Sequence, residues 1–133
     1  RVSGVGPSGL AVLREVARRS GRPVIIGEWS VPALDSGLYK QERAVLDWSF
    51  PDAVPTQAIR ARQAARITAD FFNEPYLVGA HWFIYADFDS SEREANRGLV
   101  RSDGQPWDEL VRELKAVHRE IQDHAVVGHI PGR

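Results

Sequence analysis

The stretch Arg-Pro-Val-Ile-Ile-Gly-Glu-Trp, residues 22–29, decides the fold class of this 133-residue chain. Its centre, from Val24 to Ile26, is continuously apolar and rich in β-branched residues. Continuous rather than alternating apolarity is typical of a strand that is buried on both faces, as in parallel sheets. A second such strand is predicted at residues 76–83, Tyr-Leu-Val-Gly-Ala-His-Trp-Phe. Both strands are therefore expected to be parallel neighbours in an α/β fold.

Segments with helical periodicity alternate with these two strands. Helices are predicted over Gly9–Ser20, with Ser8 as the N-cap, over about Thr56–Asn73, and from Pro106 onward. The resulting order is helix, strand, helix, strand, helix. Alternation of this kind implies parallel strands that are joined by right-handed crossovers.

Two parallel strands leave two apolar sheet edges open, which natural proteins avoid. We therefore predict that the chain is the C-terminal portion of a (β/α)8 TIM barrel, a fold of about 250 residues, and that it supplies the last two strands and their helices. Residues 1–123 form the barrel segment in this interpretation, and residues 124–133 form a loose tail. The remainder of the barrel is expected upstream of Arg1. A small doubly wound domain is the rival architecture, but it needs more strands than the sequence offers.

Composition narrows the classes of partner. The formal net charge is -1, from 17 basic and 18 acidic residues, so the chain has no basic field that would attract nucleic acid or a membrane surface. No apolar run approaches the roughly 18 to 20 residues that a membrane-spanning helix needs. The chain has no cysteine, and its four histidines do not form an HExxH motif. We therefore expect no nucleic acid, membrane or metal partner, and an uncharged or weakly charged ligand.

Glu28 ends the first predicted strand, and the carboxyl ends of parallel strands are where α/β folds place their active sites. By the period of two, Val24, Ile26 and Glu28 share one face, so Glu28 is expected at the top of the barrel interior. An ionisable group in that place is costly to desolvate, which favours a functional role. A structural ion pair with a neighbouring arginine is the alternative.

Aromatic residues cluster near the predicted ends of both strands. Trp82 shares one face with Val78 and Ala80, whereas His81 points to the other face and is expected to be structural. Aromatic rings bind the apolar C–H faces of sugars, so the cluster favours a carbohydrate groove. The further aromatic residues expected on the same loop face are Trp29, Tyr39, Trp48, Phe50, Tyr85 and Phe88.

Three motifs, taken in order, resemble segments of the clan A glycoside hydrolases. Residues 22–29 resemble the seventh strand of these enzymes, which ends in the nucleophilic glutamate. Residues 79–83 resemble the eighth strand, whose tryptophan forms the floor of the sugar-binding site. Residues 96–107 are similar to the segment that leads into the last barrel helix of agarase-like and β-galactosidase-like members. The resemblance extends over residues 8–122.

One element of the family pattern is missing from this sequence. These enzymes carry their general acid/base, usually in an Asn-Glu pair, at the end of the fourth strand. The Asn73-Glu74 dipeptide ends a predicted helix and precedes Pro75, so it does not match. The acid/base is therefore expected upstream of Arg1, and the 133-residue chain alone is expected to be inactive.

The resemblance implies a retaining glycosidase that acts on a β-linked poly- or oligosaccharide. Glu28 would be its catalytic nucleophile, and Trp82 would shape the sugar subsite beside it. No cofactor is implied, and a polysaccharide substrate would fit an extracellular or periplasmic location. The further residues expected to contact the substrate are Trp29, Tyr39, Trp48 and Asp87.

Two other functions remain open at this point. A degenerate barrel that keeps its aromatic residues but lacks the acid/base would be a non-catalytic carbohydrate-binding protein. A phosphate-using barrel enzyme would need glycine-rich turns after the last two strands. Because Gly27 and Gly79 lie inside predicted strands, the sequence offers no such phosphate cradle.

Overall fold

A computed structural model describes residues 7–38, 53–90 and 94–127 of the chain. These residues form a mixed α/β fold with three main helices and one pair of parallel strands. In chain order the elements are α1 (Pro7–Ser20), β1 (Val24–Trp29), a 3₁₀ turn (Leu34–Ser36), α2 (Gln57–Phe72), β2 (Leu77–Trp82), β3 (Phe88–Asp89), β4 (Glu94–Ala95) and α3 (Asp108–Val127). Within these ranges no helix is long and apolar enough to cross a membrane.

The two predicted strands are confirmed as parallel neighbours. Strand β1 pairs directly with β2, and α2 forms the crossover between them. Strand β1 extends beyond its apolar start and includes Glu28 and Trp29 as its last two residues. The short antiparallel pair β3–β4 in the loop after β2 was not predicted.

The helix boundaries agree with the sequence pattern at the C-terminal end of α1 and at both ends of α2. Gly21 closes α1 with a positive φ of 62°, a conformation that glycine adopts without a steric penalty. Thr56 caps α2, because its hydroxyl accepts a hydrogen bond from the Ile59 amide at 3.3 Å. The prediction that Ser8 caps α1 is wrong, since α1 already begins at Pro7. A proline suits the first turn because its missing amide proton has no helical acceptor to lose.

Helix α3 differs from its prediction at both ends. It begins at Asp108 rather than at Pro106, whose backbone instead forms a bridge with Val100. It continues to Val127, so the boundary expected at residue 124 falls inside the helix. Residues 128–133 of the expected tail lie outside the described part of the chain.

The hydrophobic core lies between the strand pair and the helices. In α2, Ala61 and Phe71 are buried, whereas Phe72 is 41% exposed. Full burial of a side chain as large as leucine or phenylalanine stabilises the fold by about 2 kcal/mol. The core residues that join the elements are Leu13, Ile26, Trp29, Ile67, Phe71, Leu77, Leu110 and Leu114.

An ion pair ties α1 to the turn before β2. The Nε atom of Arg14 donates to both carboxylate oxygens of Glu74, at 3.0 and 3.1 Å, and an Nη atom of the same guanidinium donates as well. These hydrogen bonds hold the pKa of Glu74 below its usual value, against the opposing effect of burial. The contact fixes α1 beside the start of β2.

Candidate active site

A bulge in β1 determines which way Glu28 faces. Ile26 pairs with Ala80 and Trp29 pairs with Trp82, so Gly27 and Glu28 together oppose a single residue of β2. A bulge of this kind breaks the alternation of side chains along the strand. Ile26 and Trp29 consequently both face the helical core, and Glu28 is exposed on the opposite, open face of the strand pair.

The expected partners of Glu28 on its face need a correction. Val24 and Ile26 were predicted to share a face with Glu28, but Ile26 belongs to the core and Val24 packs against it. The period of two fails because the bulge adds one residue to β1. The open face carries Ile25 and Val78, each 58% exposed. Glu28 thus points away from the helices, although the alternation argument that placed it there does not hold.

The Glu28 carboxylate has no hydrogen-bonding or ionic partner in the part of the chain that the structure describes. Within residues 7–38, 53–90 and 94–127, no group forms a hydrogen bond or an ion pair with it. The alternative interpretation of Glu28 as a structural ion pair is therefore not supported by the described contacts. An exposed, unpaired carboxylate at the C-terminal end of a parallel strand is available for chemistry.

His81 lies on the same open face as Glu28. It is the residue of β2 that opposes Gly27 and Glu28, and it is exposed. The sequence argument had placed Trp82 on the face of Glu28 and His81 on the other. A second register shift, between Val24 and Ile25, reverses that expectation for β2.

Trp29 is a core residue, so the prediction that it contacts substrate is wrong. It is 7% exposed, and its ring meets Phe71 and Trp82 edge-on at centroid distances of 5.2 and 4.9 Å. Such T-shaped contacts are favourable for aromatic pairs. A ring enclosed in this way has almost no surface left for a sugar.

Trp82 is half-buried at the end of β2. Its indole Nε1 donates to the Arg97 carbonyl oxygen at 2.8 Å, and the Arg60 guanidinium lies 5.8 Å from its ring centroid. These contacts fix the ring in one orientation. The role of Trp82 in a sugar subsite stays a prediction.

Asp87 is buried, at 6% exposure, and its carboxylate is used by the protein itself. One oxygen accepts from the Gly98 amide at 2.6 Å, and the other accepts from Asn96 Nδ2 at 3.0 Å and Trp107 Nε1 at 2.8 Å. Several donors satisfy this buried carboxylate, as buried carboxylates require, and the contact of Asp87 with substrate stays a prediction. Asp87 organises the loop after β2.

Asn96 joins that loop to the loop after β1. It is fully buried, and its Oδ1 atom accepts from the Ala33 amide at 3.0 Å and from Gln57 Nε2 at 2.9 Å. Asp35 accepts a hydrogen bond from the Gln57 amide at 3.1 Å, at the first residue of α2. A carboxylate is favourable there because it meets the positive end of the helix dipole.

Arg60 is a buried cation that braces the same two loops. Its side chain is fully buried; Nε donates to the Val31 carbonyl at 2.6 Å, and an Nη atom donates to the Gly98 carbonyl at 2.8 Å. Its guanidinium also lies 5.8 Å from the ring centroids of both Trp82 and Trp107. Arg60 therefore holds the ends of both loops against the tryptophans.

Sequence reasoning missed the roles of Arg60 and Asn96. Each lies in a polar stretch or on a helix and binds partners that are tens of residues away, so no local pattern marks either of them. Tyr39 and Trp48, the other predicted substrate contacts, lie outside the described residues, as does Phe50. In the described ranges no group of three or more His, Asp or Glu side chains could hold a metal ion.

Known proteins resemble the chain over most of its length. β-Agarase B of Vibrio sp. (strain JT0107) is 29% identical over 105 residues, which are 75% of this chain. The solved structure of an exo-β-agarase is 28% identical and covers 90% of this chain with a TM-score of 0.68. The chain is therefore similar to agarases in both sequence and fold. No protein-family model matches it.

The chain corresponds to a small part of these larger proteins. It spans 10% of β-agarase B and 15% of the exo-β-agarase chain. A β-glucuronidase from Bifidobacterium dentium, 17% identical with a TM-score of 0.57, shares the fold over 89% of this chain and 18% of its own. The expected resemblance to agarase-like glycoside hydrolases is thereby confirmed.

Proposed function

We propose that this chain forms the last two strands of a (β/α)8 barrel and supplies the nucleophile, Glu28, of a retaining β-glycosidase. The observation that carries the proposal is the unpaired carboxylate of Glu28 on the open strand face, at the carboxyl end of β1. The agarases and β-glucuronidase that share this fold are named as enzymes that act on carbohydrates. By that similarity, the proposed substrate is a β-linked poly- or oligosaccharide.

The open face supports the barrel part of the proposal. Ile25 and Val78 are large apolar residues that stay exposed although the helices cover the other side of both strands. Apolar residues at these places are expected where further strands enclose them, because an uncovered strand pair exposes both edges and one apolar face. The remaining six strands of the proposed barrel would enclose this face.

The proposed mechanism assigns one step to this chain. In a retaining enzyme, two carboxyl groups lie about 5 to 5.5 Å apart across the glycosidic bond. An ionised Glu28 attacks the anomeric carbon while a second carboxylic acid protonates the leaving oxygen. Water then attacks the resulting glycosyl-enzyme and releases Glu28. The second carboxyl group is proposed to come from the rest of the barrel.

The stereochemistry of the product tests the proposal. With the full-length protein and an aryl β-glycoside that it cleaves, proton NMR of the first-formed sugar is expected to show the β anomer. Two displacements at the same carbon restore the original configuration. A first-formed α anomer would contradict the mechanism, and saccharide binding without any hydrolysis would instead support the non-catalytic carbohydrate-binding alternative.

A further inference from the structure

A polar cavity of about 360 Å³ lies between the loop after β1 and the loop after β2. Asp35 contributes to its wall from the first loop, and Arg101 and Trp107 contribute from the second. Both loops follow the carboxyl ends of parallel strands, so the cavity opens at the same end of the fold as Glu28. Its volume is within the range of sites that bind small molecules.

Arg101 is oriented in this cavity, and its side chain has no hydrogen-bonding partner among the described residues. Its guanidinium stacks on the Trp107 ring, with Cζ 4.5 Å from the ring centroid. Within the described ranges no carboxylate or carbonyl accepts a hydrogen bond from it. Trp107 is itself held by the hydrogen bond from Nε1 to Asp87. The result is a planar set of donors that is fixed by stacking and is free for a ligand.

Three of the four carboxylates that line the cavity are each fixed through one oxygen, whereas both oxygens of the fourth, Asp87, already accept hydrogen bonds. Asp35 accepts from the Gln57 amide, Asp89 accepts from the Ser102 hydroxyl at 3.3 Å, and Asp103 accepts from the Gln105 amide at 2.9 Å. No described group donates to the second oxygen of any of the three. Ionised carboxylates of this kind accept hydrogen bonds from hydroxyl groups.

We propose that this cavity is a subsite for a neutral sugar unit of the substrate, with Arg101 donating to ring or hydroxyl oxygens and the aspartates accepting from hydroxyl groups. The inference rests on the proposed function. It adds a second place, besides Glu28, at which this protein would bind the saccharide. Four aspartates face one arginine here, so a sugar that carries a carboxylate or a sulfate would be repelled. The subsite therefore favours an uncharged polysaccharide.

The test compares substrates of different length in the full-length protein. Arg101→Ala is expected to weaken calorimetric binding of long neutral oligosaccharides by about ten- to a hundred-fold, because hydrogen bonds from a charged group are lost. Its kcat/KM on a short aryl glycoside, which reaches only the site beside Glu28, should be unchanged. Arg112→Ala, which removes an exposed arginine from α3, is the matched control and should alter neither value.

Charge selectivity gives a second measurement. The wild-type protein should bind a sulfated oligosaccharide more weakly than a neutral one of equal length, and Asp89→Asn should reduce that difference. Calcium ions should leave the affinity for the neutral oligosaccharide unchanged. A calcium requirement, or equal affinity for the sulfated and neutral chains, would overturn direct recognition of a neutral sugar.

The outcomes separate this inference from the proposed function. If the protein hydrolyses glycosides but Arg101→Ala binds long chains as the wild type does, the subsite is overturned and the function stands. If the protein hydrolyses nothing but binds neutral oligosaccharides through Arg101, the subsite stands and the hydrolase proposal fails. Absence of both hydrolysis and binding would overturn both.

Discussion

The Glu28→Gln variant of the full-length enzyme is expected to lose turnover by about 10⁴-fold or more, because the amide cannot form the glycosyl-enzyme. Gln keeps the size and shape of the side chain, and Glu28 is exposed and makes no described contact. The stability of the fold should therefore stay near that of the wild type. Steady-state rates on an aryl β-glycoside, with thermal unfolding of the same sample, provide the measurement.

A surface substitution of the same kind controls for this experiment. Glu120→Gln changes an exposed glutamate of α3, far along the chain from both strand ends, and should leave the rate unchanged. Turnover of the Glu28→Gln variant within ten-fold of the wild type would remove Glu28 from the role of nucleophile. Azide added to a Glu28→Gly variant distinguishes loss of the nucleophile from misfolding, because the small anion fits the space that the side chain leaves and can attack the anomeric carbon itself, but it cannot repair a misfolded site.

The second large effect is expected for Gly98→Ala, which should destabilise the fold by about 3 kcal/mol because it overpacks a closed site. A Cβ at this position would lie 2.3 Å from the Asp87 amide nitrogen and 2.4 Å from the Val100 carbonyl oxygen. Both are backbone atoms, which cannot move aside as a flexible side chain can. Urea denaturation, followed by tryptophan fluorescence, measures the loss of unfolding free energy.

Arg112→Ala is the control for this prediction. It also introduces an alanine, but at an exposed position of α3, so it should change the free energy of unfolding by less than about 0.5 kcal/mol. An equal loss of unfolding free energy in the two variants would contradict the prediction, because it would mean that the backbone atoms around Gly98 can accommodate a Cβ. Since the Gly98 amide also donates to Asp87 and its carbonyl accepts from Arg60, Gly98→Ala should disturb the loop that carries the proposed subsite.

The sequence was sufficient to predict the elements that bury apolar side chains. The run from Val24 to Ile26 and the run that begins at Leu77 both became parallel strands, as continuous apolarity indicates. Helix α2 was bounded within one residue at each end, because Thr56 offers a capping hydroxyl and Pro75 follows the helix. These features are local, so a short window of sequence contains them.

The direction of side chains at the strand ends could not be predicted in the same way. A strict period of two placed Ile26 with Glu28, whereas the extra residue at Gly27–Glu28 moved Ile26 into the core and left Glu28 on the other face. A bulge depends on how two strands pair, and neither strand alone specifies it. Because the bulge coincides with the strand end, Glu28 still lies on the open face, and its assignment as the nucleophile stays a prediction.

The hydrogen bonds of the buried residues Asn96 and Arg60 could not be predicted from the sequence, for a different reason. Asn96 contacts Ala33 and Gln57, and Arg60 contacts Val31 and Gly98, all across distances of tens of residues. Fully buried polar groups require such partners, but their identity follows from the fold and not from local patterns. Composition alone would have assigned both residues to the surface.

Trapping of the covalent intermediate tests the central claim most directly. A 2-deoxy-2-fluoro β-glycoside with a good leaving group slows the release of the glycosyl-enzyme, so the labelled peptide can be identified by mass spectrometry after digestion. The account predicts that the full-length enzyme gains the mass of one fluorosugar and that the ester is on Glu28. A label on any other carboxylate, or rapid hydrolysis through an inverting route with no labelled species, would contradict it.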